Sequence, residues 1–229
     1  MIIKNPILKG KFIKRINRFE AFVNLKGEQT LVHVPNTGRC NEILIPGAKT
    51  LIEVRERSGR KTPYELEAVY KGDRLISIDS QVPNKVVLEA LQKNYIKEFI
   101  GYEFIEREKT FGNSRFDIKL TKNDNICYIE VKGVTLEMDN IAKFPDAPTE
   151  RGRKHLKDLI KAKEKGYRAA VIFLIQMDNI NFFTPNDEQD KEFGIIFRDA
   201  LKSGIEAYAY TCDVGENYIN IKDRITIVL

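Results

Sequence analysis

The chain has 229 residues, enough for one large domain or two small ones, and either can bury a core. Its 42% hydrophobic and 31% charged residues are ordinary for a soluble globular protein, and its longest apolar run, Ala169 to Ile175, is too short to span a bilayer. The net charge of +5 is uneven: residues 1–80 hold 15 Lys+Arg against 9 Asp+Glu, and residues 81–229 hold 23 against 24. A basic segment joined to a near-neutral one suggests a grip on a polyanion, the ordinary alternative being a solvated lysine-rich face.

Cys40, Cys127 and Cys212 are scattered and odd in number, and with only His33 and His155 as histidines they argue against zinc. They read as buried, reduced thiols of a cytoplasmic protein. The basic N-terminus is followed by no leader-like apolar region or small-residue cleavage site, so no membrane partner is expected.

The first third reads as β-rich. Lys11–Ile16, Ala21–Leu25, Thr30–Val34, Thr50–Glu56, Tyr64–Tyr70 and Leu75–Asp79 are short β-branched or aromatic segments. Turn signals at Lys26-Gly27, Pro35-Asn36, Pro46-Gly47, Ser58-Gly59 and Lys71-Gly72 separate them. Six short strands at this spacing suggest a small barrel. The stretch from Asn36 to Ile45 has room for one helical turn, and the pattern is compatible with an OB-fold.

Pro83 marks the expected boundary, dividing the chain into 1–82 and 83–229. Asn84 is placed to cap a helix over 85–100 that stops at Gly101. Three strands follow as a meander: Glu103–Lys109, Arg115–Leu120 and Cys127–Leu136. Thr149 is placed to cap a helix to Lys165, with Leu156, Leu159 and Ile160 as a narrow apolar stripe. The apolar run Ala169–Ile175 reads as a central strand. A helix starting at Asn186 or Asp187 and two strands, Glu206–Thr211 and Ile219–Leu229, complete an α/β (α+β) sandwich with a mixed sheet.

One constellation carries chemistry. Glu130 and Lys132 are two apart, so on a strand they share a face while Val131 points into the core. Asp117, on the neighbouring hairpin strand, can lie beside Glu130. Two carboxylates can hold Mg2+ or Mn2+, and the ammonium can offset charge on an attacked phosphate. The bland alternative is a Glu130–Lys132 salt bridge with Asp117 solvated. A third acidic ligand is sought on the first helix, where Glu89 has the best spacing. Glu98 and, on the first hairpin strand, Glu108 are the other candidates.

Asp117 with Glu130-Val131-Lys132 resembles the PD-(D/E)XK nuclease superfamily, with Phe116 standing where the superfamily carries Pro. The match extends along nearly the whole chain. Asn17-Arg18-Phe19, the run from His33 to Arg39, Arg60-Lys61-Thr62, the run from Gly112 to Asp117, the run from Glu130 to Leu136 and the run from Phe144 to Leu156 resemble the sugar fermentation stimulation protein family. That resemblance implies an N-terminal OB-fold, a C-terminal nuclease-like domain, DNA binding and a regulatory role in sugar (maltose) metabolism. It carries metal binding to Asp117 and Glu130 and catalysis to Lys132.

For nucleic-acid contact the candidates are Arg18, Arg39 and Lys61 in the barrel and Arg115, Arg151 and His155 in the second domain. Arg151 and His155 are four apart at a helix start, where a phosphate would also meet free backbone N–H groups. Three readings result: a DNA-binding metal-dependent nuclease acting on single-stranded or structured DNA, a non-catalytic DNA-binding regulator, and an RNA-directed nuclease. A homodimer is compatible with each.

Overall fold

The computed structural model describes residues 1–55, 59 and 61–229. Glu56 at the end of the expected fourth strand, Ser58 of the Ser58-Gly59 turn and Arg60 of the Arg60-Lys61-Thr62 motif lie outside the described residues.

The first sheet contains β1 (Ile7–Asn17), β2 (Glu20–Leu25), β3 (Glu28–His33), β4 (Lys49–Val54), β5 (Tyr64–Lys71) and β6 (Arg74–Ser77). Its order is β3-β2-β1-β4-β5-β6, and a parallel bridge from His33 in β3 to Glu65 in β5 closes five of the strands into a barrel. This closed strand order is the one expected for an OB-fold. Phe12, Ala21, Val23, Val32, Ile52, Leu66 and Val69 fill its interior. The loop after β3 carries one turn, in which Ile43 and Leu44 N–H donate to the Cys40 carbonyl.

The second sheet has nine strands: β7 (Phe104–Phe111), β8 (Ser114–Lys122), β9 (Asn125–Val134), β10 (Leu136–Met138), β11 (Ile141–Phe144), β12 (Arg168–Ile175), β13 (Phe182–Pro185), β14 (Glu206–Val214) and β15 (Ile219–Ile227). Its order is β10-β11-β13-β15-β14-β12-β9-β8-β7, with β12 parallel to both β9 and β14. Buried from both sides, β12 has no solvent face, which explains its continuous apolar run.

Helix α1 (Val82–Gln92) covers one face with Val82, Val86, Val87, Ala90 and Leu91 over Ile118, Ile129, Val131 and Ile172. Helices α2 (Glu150–Glu164) and α3 (Lys191–Lys202) cover the other, where Leu156, Leu159, Phe193 and Phe197 join Phe116, Val171, Phe173 and Phe183. The mixed sheet between helical layers is the expected class. The short strands β10, β11 and β13 are additional to the expected order, because three or four residues are too few to display a period.

Two helix starts differ from expectation. Helix α1 begins at Val82, with Pro83 tolerated in its first turn, and ends at Gln92 before a 3-10 turn at Lys97–Phe99. Asn84 is therefore inside the helix and does not cap it. Helix α3 is capped by Asp190, whose carboxylate accepts from Phe193 N–H at 2.9 Å. Asn186 is instead buried, donating to the Pro145 carbonyl, and Asp187 pairs with Arg198. Thr149 does cap α2, accepting from Gly152 N–H at 3.0 Å. All three cysteines are buried free thiols. No helix among the described residues is long and apolar enough to cross a membrane.

Candidate metal centre

Strand alternation places Val131 against α1 and turns Glu130 and Lys132 towards α2. Glu130 is 2% exposed, and its Oε1 accepts from Lys132 Nζ at 2.7 Å. His155 on α2 places its Nδ1 against the same oxygen. The other oxygen, Oε2, is buried without a hydrogen-bond partner among the described residues. Such an atom is costly unless something polar or cationic meets it.

Asp117 reaches this centre where the hairpin opens. Pairing of β8 with β9 ends at Ile118–Ile129. Past that point the Asp117 carboxylate takes over, accepting from Val131 N–H at 2.8 Å through Oδ2 and from the Asn84 side chain at 2.7 Å through Oδ1. Burial raises the pKa of Asp117 above the usual carboxylate range, and the nearby Glu130 charge raises it further. Glu130 goes the other way: burial opposes its charge, but Lys132 and His155 hold its carboxyl below the ordinary value. The two neighbouring carboxyls are thus shifted in opposite directions, Glu130 towards its charged form and Asp117 away from it.

The structure therefore brings Asp117, Glu130 and Lys132 together, and the Glu130–Lys132 ion pair of the bland alternative is also present. Two expectations are corrected. Glu89 is not at the centre: it pairs with the N-terminal ammonium at 3.0 Å and with Lys93 at 2.5 Å. Asn84 is the helix residue that contacts Asp117. His155 is buried against Glu130 and is not a free phosphate contact. Spacing could have shown this, because His155 precedes Leu159 by four and so belongs to the buried stripe. Glu98 is engaged by Tyr210 and Arg224, and Glu108 pairs with Arg115 at 3.5 Å.

The remaining basic candidates lie on the surface. Arg18 is exposed with its guanidinium 5.2 Å from the Phe19 ring centroid. Arg39 is exposed, and its backbone is fixed at the N–H by Asp146 at 2.9 Å and at the carbonyl by Arg15. Lys61 reaches Glu20 at 2.9 Å, and Arg151 projects from the first turn of α2.

Several positioning residues carry no sequence signal of their own. Arg15 donates to the carbonyls of Arg18, Asn36, Gly38 and Arg39, knitting that loop together. The loop and the Phe144–Thr149 segment line a cleft of about 280 Å³ whose wall includes Gly133, next to Lys132. A Cβ at Gly133 would meet Gln176 Oε1 at 2.6 Å and Pro83 Cγ at 2.7 Å, so glycine permits the close approach of α1, and of Gln176 just after β12, to β9. Asp190 accepts from Thr149 N–H at 2.8 Å and from Arg153 at 2.9 Å, fixing the start of α2 and with it His155.

A second buried acidic group lies in the barrel. Carboxylate oxygens of Glu53, Glu65 and Glu67 lie within 4.8 Å of one another. Arg55 fills the group, with contacts to Glu53 at 2.5 Å, Glu67 at 2.9 Å and Glu65.

Comparison with known proteins places the chain. The family model "Sugar fermentation stimulation protein RE domain" matches residues 81–218, and "SfsA N-terminal OB domain" matches residues 13–78. A sugar fermentation stimulation protein homolog of Thermoanaerobacter sp. (strain X514) is 71% identical over 230 residues, covering 100% of both chains. The solved structure of Pyrococcus furiosus SfsA in complex with Ca2+ superposes with a TM-score of 0.90 at 28% identity, again covering 100% of both chains. The chain belongs to the sugar fermentation stimulation protein family.

Proposed function

We propose that the protein binds DNA and hydrolyses phosphodiesters with a divalent metal ion held by Asp117 and Glu130. The observation that carries this reading is the partnerless buried oxygen Glu130 Oε2, beside a second carboxylate whose ionisation it opposes. Hard oxygen donors of this kind suit Mg2+ or Mn2+. The Ca2+ complex of the Pyrococcus furiosus relative is in keeping with a divalent ion. When bound, such an ion supplies a water of lowered pKa and neutralises charge on the phosphate.

The chain's own residues do the rest. Asn84 and the Val131 N–H orient Asp117, His155 and Lys132 hold Glu130, and the Lys132 ammonium offsets negative charge as it builds on the attacked phosphate. Arg18, Arg39 and Arg151, exposed and without ion-pair partners among the described residues, would track the backbone, with Lys61 and Arg115 released from Glu20 and Glu108 to join them.

A second reading, a non-catalytic DNA-binding regulator of sugar metabolism on the same scaffold, is favoured by the Lys132–Glu130 ion pair, which already occupies one carboxylate oxygen. Incubation with Mn2+ and labelled single-stranded, duplex and structured DNA and RNA separates the readings. Lys132→Ala is expected to lose cleavage by roughly two to four orders of magnitude while binding persists. Wild-type protein that binds but never cleaves would establish the regulator, and cleavage of RNA alone would move the assignment to an RNA-directed nuclease.

A further inference from the structure

The barrel carries a groove of about 670 Å³ that the metal centre does not use. Its walls are the β2–β3 turn at Lys26-Gly27 and the β5–β6 turn at Gly72-Asp73, and its floor is the paired segments of β1 and β4. Lys9, Lys11, Lys26 and Lys49 line it, with the half-buried ring of Tyr70. Lys9 is tied to Glu216 in the β14–β15 turn. Asp73 on the rim is the groove's one carboxylate and forms no ion pair with these lysines among the described residues.

Two features set this groove apart from an ordinary solvated surface. Lys11 and Lys49 are direct cross-strand partners in the β1–β4 ladder, an arrangement that places like charges side by side at a cost in stability. Neither they nor Lys26 has an ion-pair partner among the described residues, so three unpaired ammonium groups line one concavity. Repulsion retained inside a concavity is relieved when an anion enters it. A polyanion does so at several lysines at once, and an adjacent aromatic ring gives an unpaired base a stacking platform.

We propose that this groove binds the phosphodiester backbone of a single nucleic-acid strand, with Lys11, Lys26 and Lys49 on the phosphates and Tyr70 against a base. The proposal rests on the DNA-binding reading and adds a strand-selective contact surface distinct from Arg18, Arg39 and Lys61.

The test is fluorescence anisotropy in EDTA, with labelled oligothymidylate and a duplex of the same length, across a salt series. Lys11→Ala/Lys26→Ala/Lys49→Ala is expected to reduce the slope of log affinity against log salt for the single strand by roughly 2, at about 0.7 for each phosphate no longer neutralised. Affinity near 0.1 M salt should fall by about tenfold or more. Tyr70→Ala should weaken the single strand several-fold and leave the duplex unaffected. Lys49→Glu provides a readout that a merely structural role would not give. It should lower affinity while raising the melting temperature by about 1–3 °C, because Lys11 gains a partner. An unchanged salt slope in the triple variant, with wild type binding well, overturns the groove and leaves the DNA-binding reading standing. Equal losses on duplex and single strand overturn the single-strand assignment. Wild type that binds neither probe overturns both readings.

Discussion

The chain buries two groups of carboxylates and neutralises them differently. In the barrel, Glu53, Glu65 and Glu67 surround the Arg55 guanidinium, with Asn5 donating to Glu53 and Asp79 3.7 Å from Arg55. In the C-terminal domain, Lys132 and His155 both meet one oxygen of Glu130 and leave its other oxygen without a partner among the described residues, while Asp117 accepts only from the neutral donors Asn84 and Val131 N–H. Arginine supplies a rigid fork of donors that several carboxylates can share, so the barrel group is complete without any ion. Lysine supplies a point charge at one oxygen and leaves the other oxygen of the same carboxylate open. Acidic clustering alone therefore does not distinguish a metal site from an internal ion-pair network. The distinction lies in whether the protein's own cations exhaust the oxygens.

The contrast breaks most visibly at Arg55. Arg55→Met removes the cation from a buried acidic group and should destabilise the fold by about 3–5 kcal/mol, read from chemical denaturation, because carboxylates are left buried and unpaired. Full-strength metal binding at the C-terminal centre in whatever folded protein remains would confirm that the two groups are independent. A loss below about 1 kcal/mol would show that the barrel network is not held by its arginine.

An effect smaller per pH unit follows from protonation. Burial, reinforced by Glu53 and Asp79, pushes the Glu67 carboxyl up to about 9, so the Glu53–Glu67 pair shares a proton at neutral pH. Between the ordinary carboxylate value and about 9, the folded chain holds this proton and the unfolded chain does not. Stability should therefore fall as pH rises through that window, by at most about 1.4 kcal/mol per pH unit, and level off above it. The raised Asp117 adds to this trend in the acidic part of the range. Glu67→Gln should flatten the decline between neutral pH and pH 9, and an identical slope in the variant would place the proton elsewhere. The smallest effect is expected at Asn84. Asn84→Ala leaves Asp117 its Val131 donor and should cost about 1 kcal/mol of stability, with weaker metal binding as the more telling loss.

Much of this arrangement was legible from residue order, for stated reasons. The two-residue spacing of Glu130 and Lys132 dictates a shared face on any strand, and Thr149 and the run Ala169–Ile175 announce a helix cap and a two-sided strand in their composition. Asn84 misled because Asn before an apolar helix is ordinarily a cap, whereas Pro83 here sits inside the first turn and Asn84 turns to Asp117. Glu89 had suitable spacing, but the N-terminal ammonium, distant in sequence, claims it. The barrel network was invisible because Glu53, Arg55, Glu65 and Glu67 alternate along two strands like exposed charges. Ile52 and Leu66 of the alternate face fill the barrel, and only the contacts from Asn5, Arg55 and Asp79 show that the outer face is covered as well.

The central claim is that Asp117 and Glu130 hold a divalent ion while the barrel carboxylates do not. Mn2+ binding followed by electron paramagnetic resonance on folded wild type, Glu130→Gln and Glu67→Gln tests it directly. One bound ion per wild-type chain is expected, with loss of that ion in Glu130→Gln and its retention in Glu67→Gln. Mn2+ that survives Glu130→Gln, or that disappears with Glu67→Gln, would contradict it.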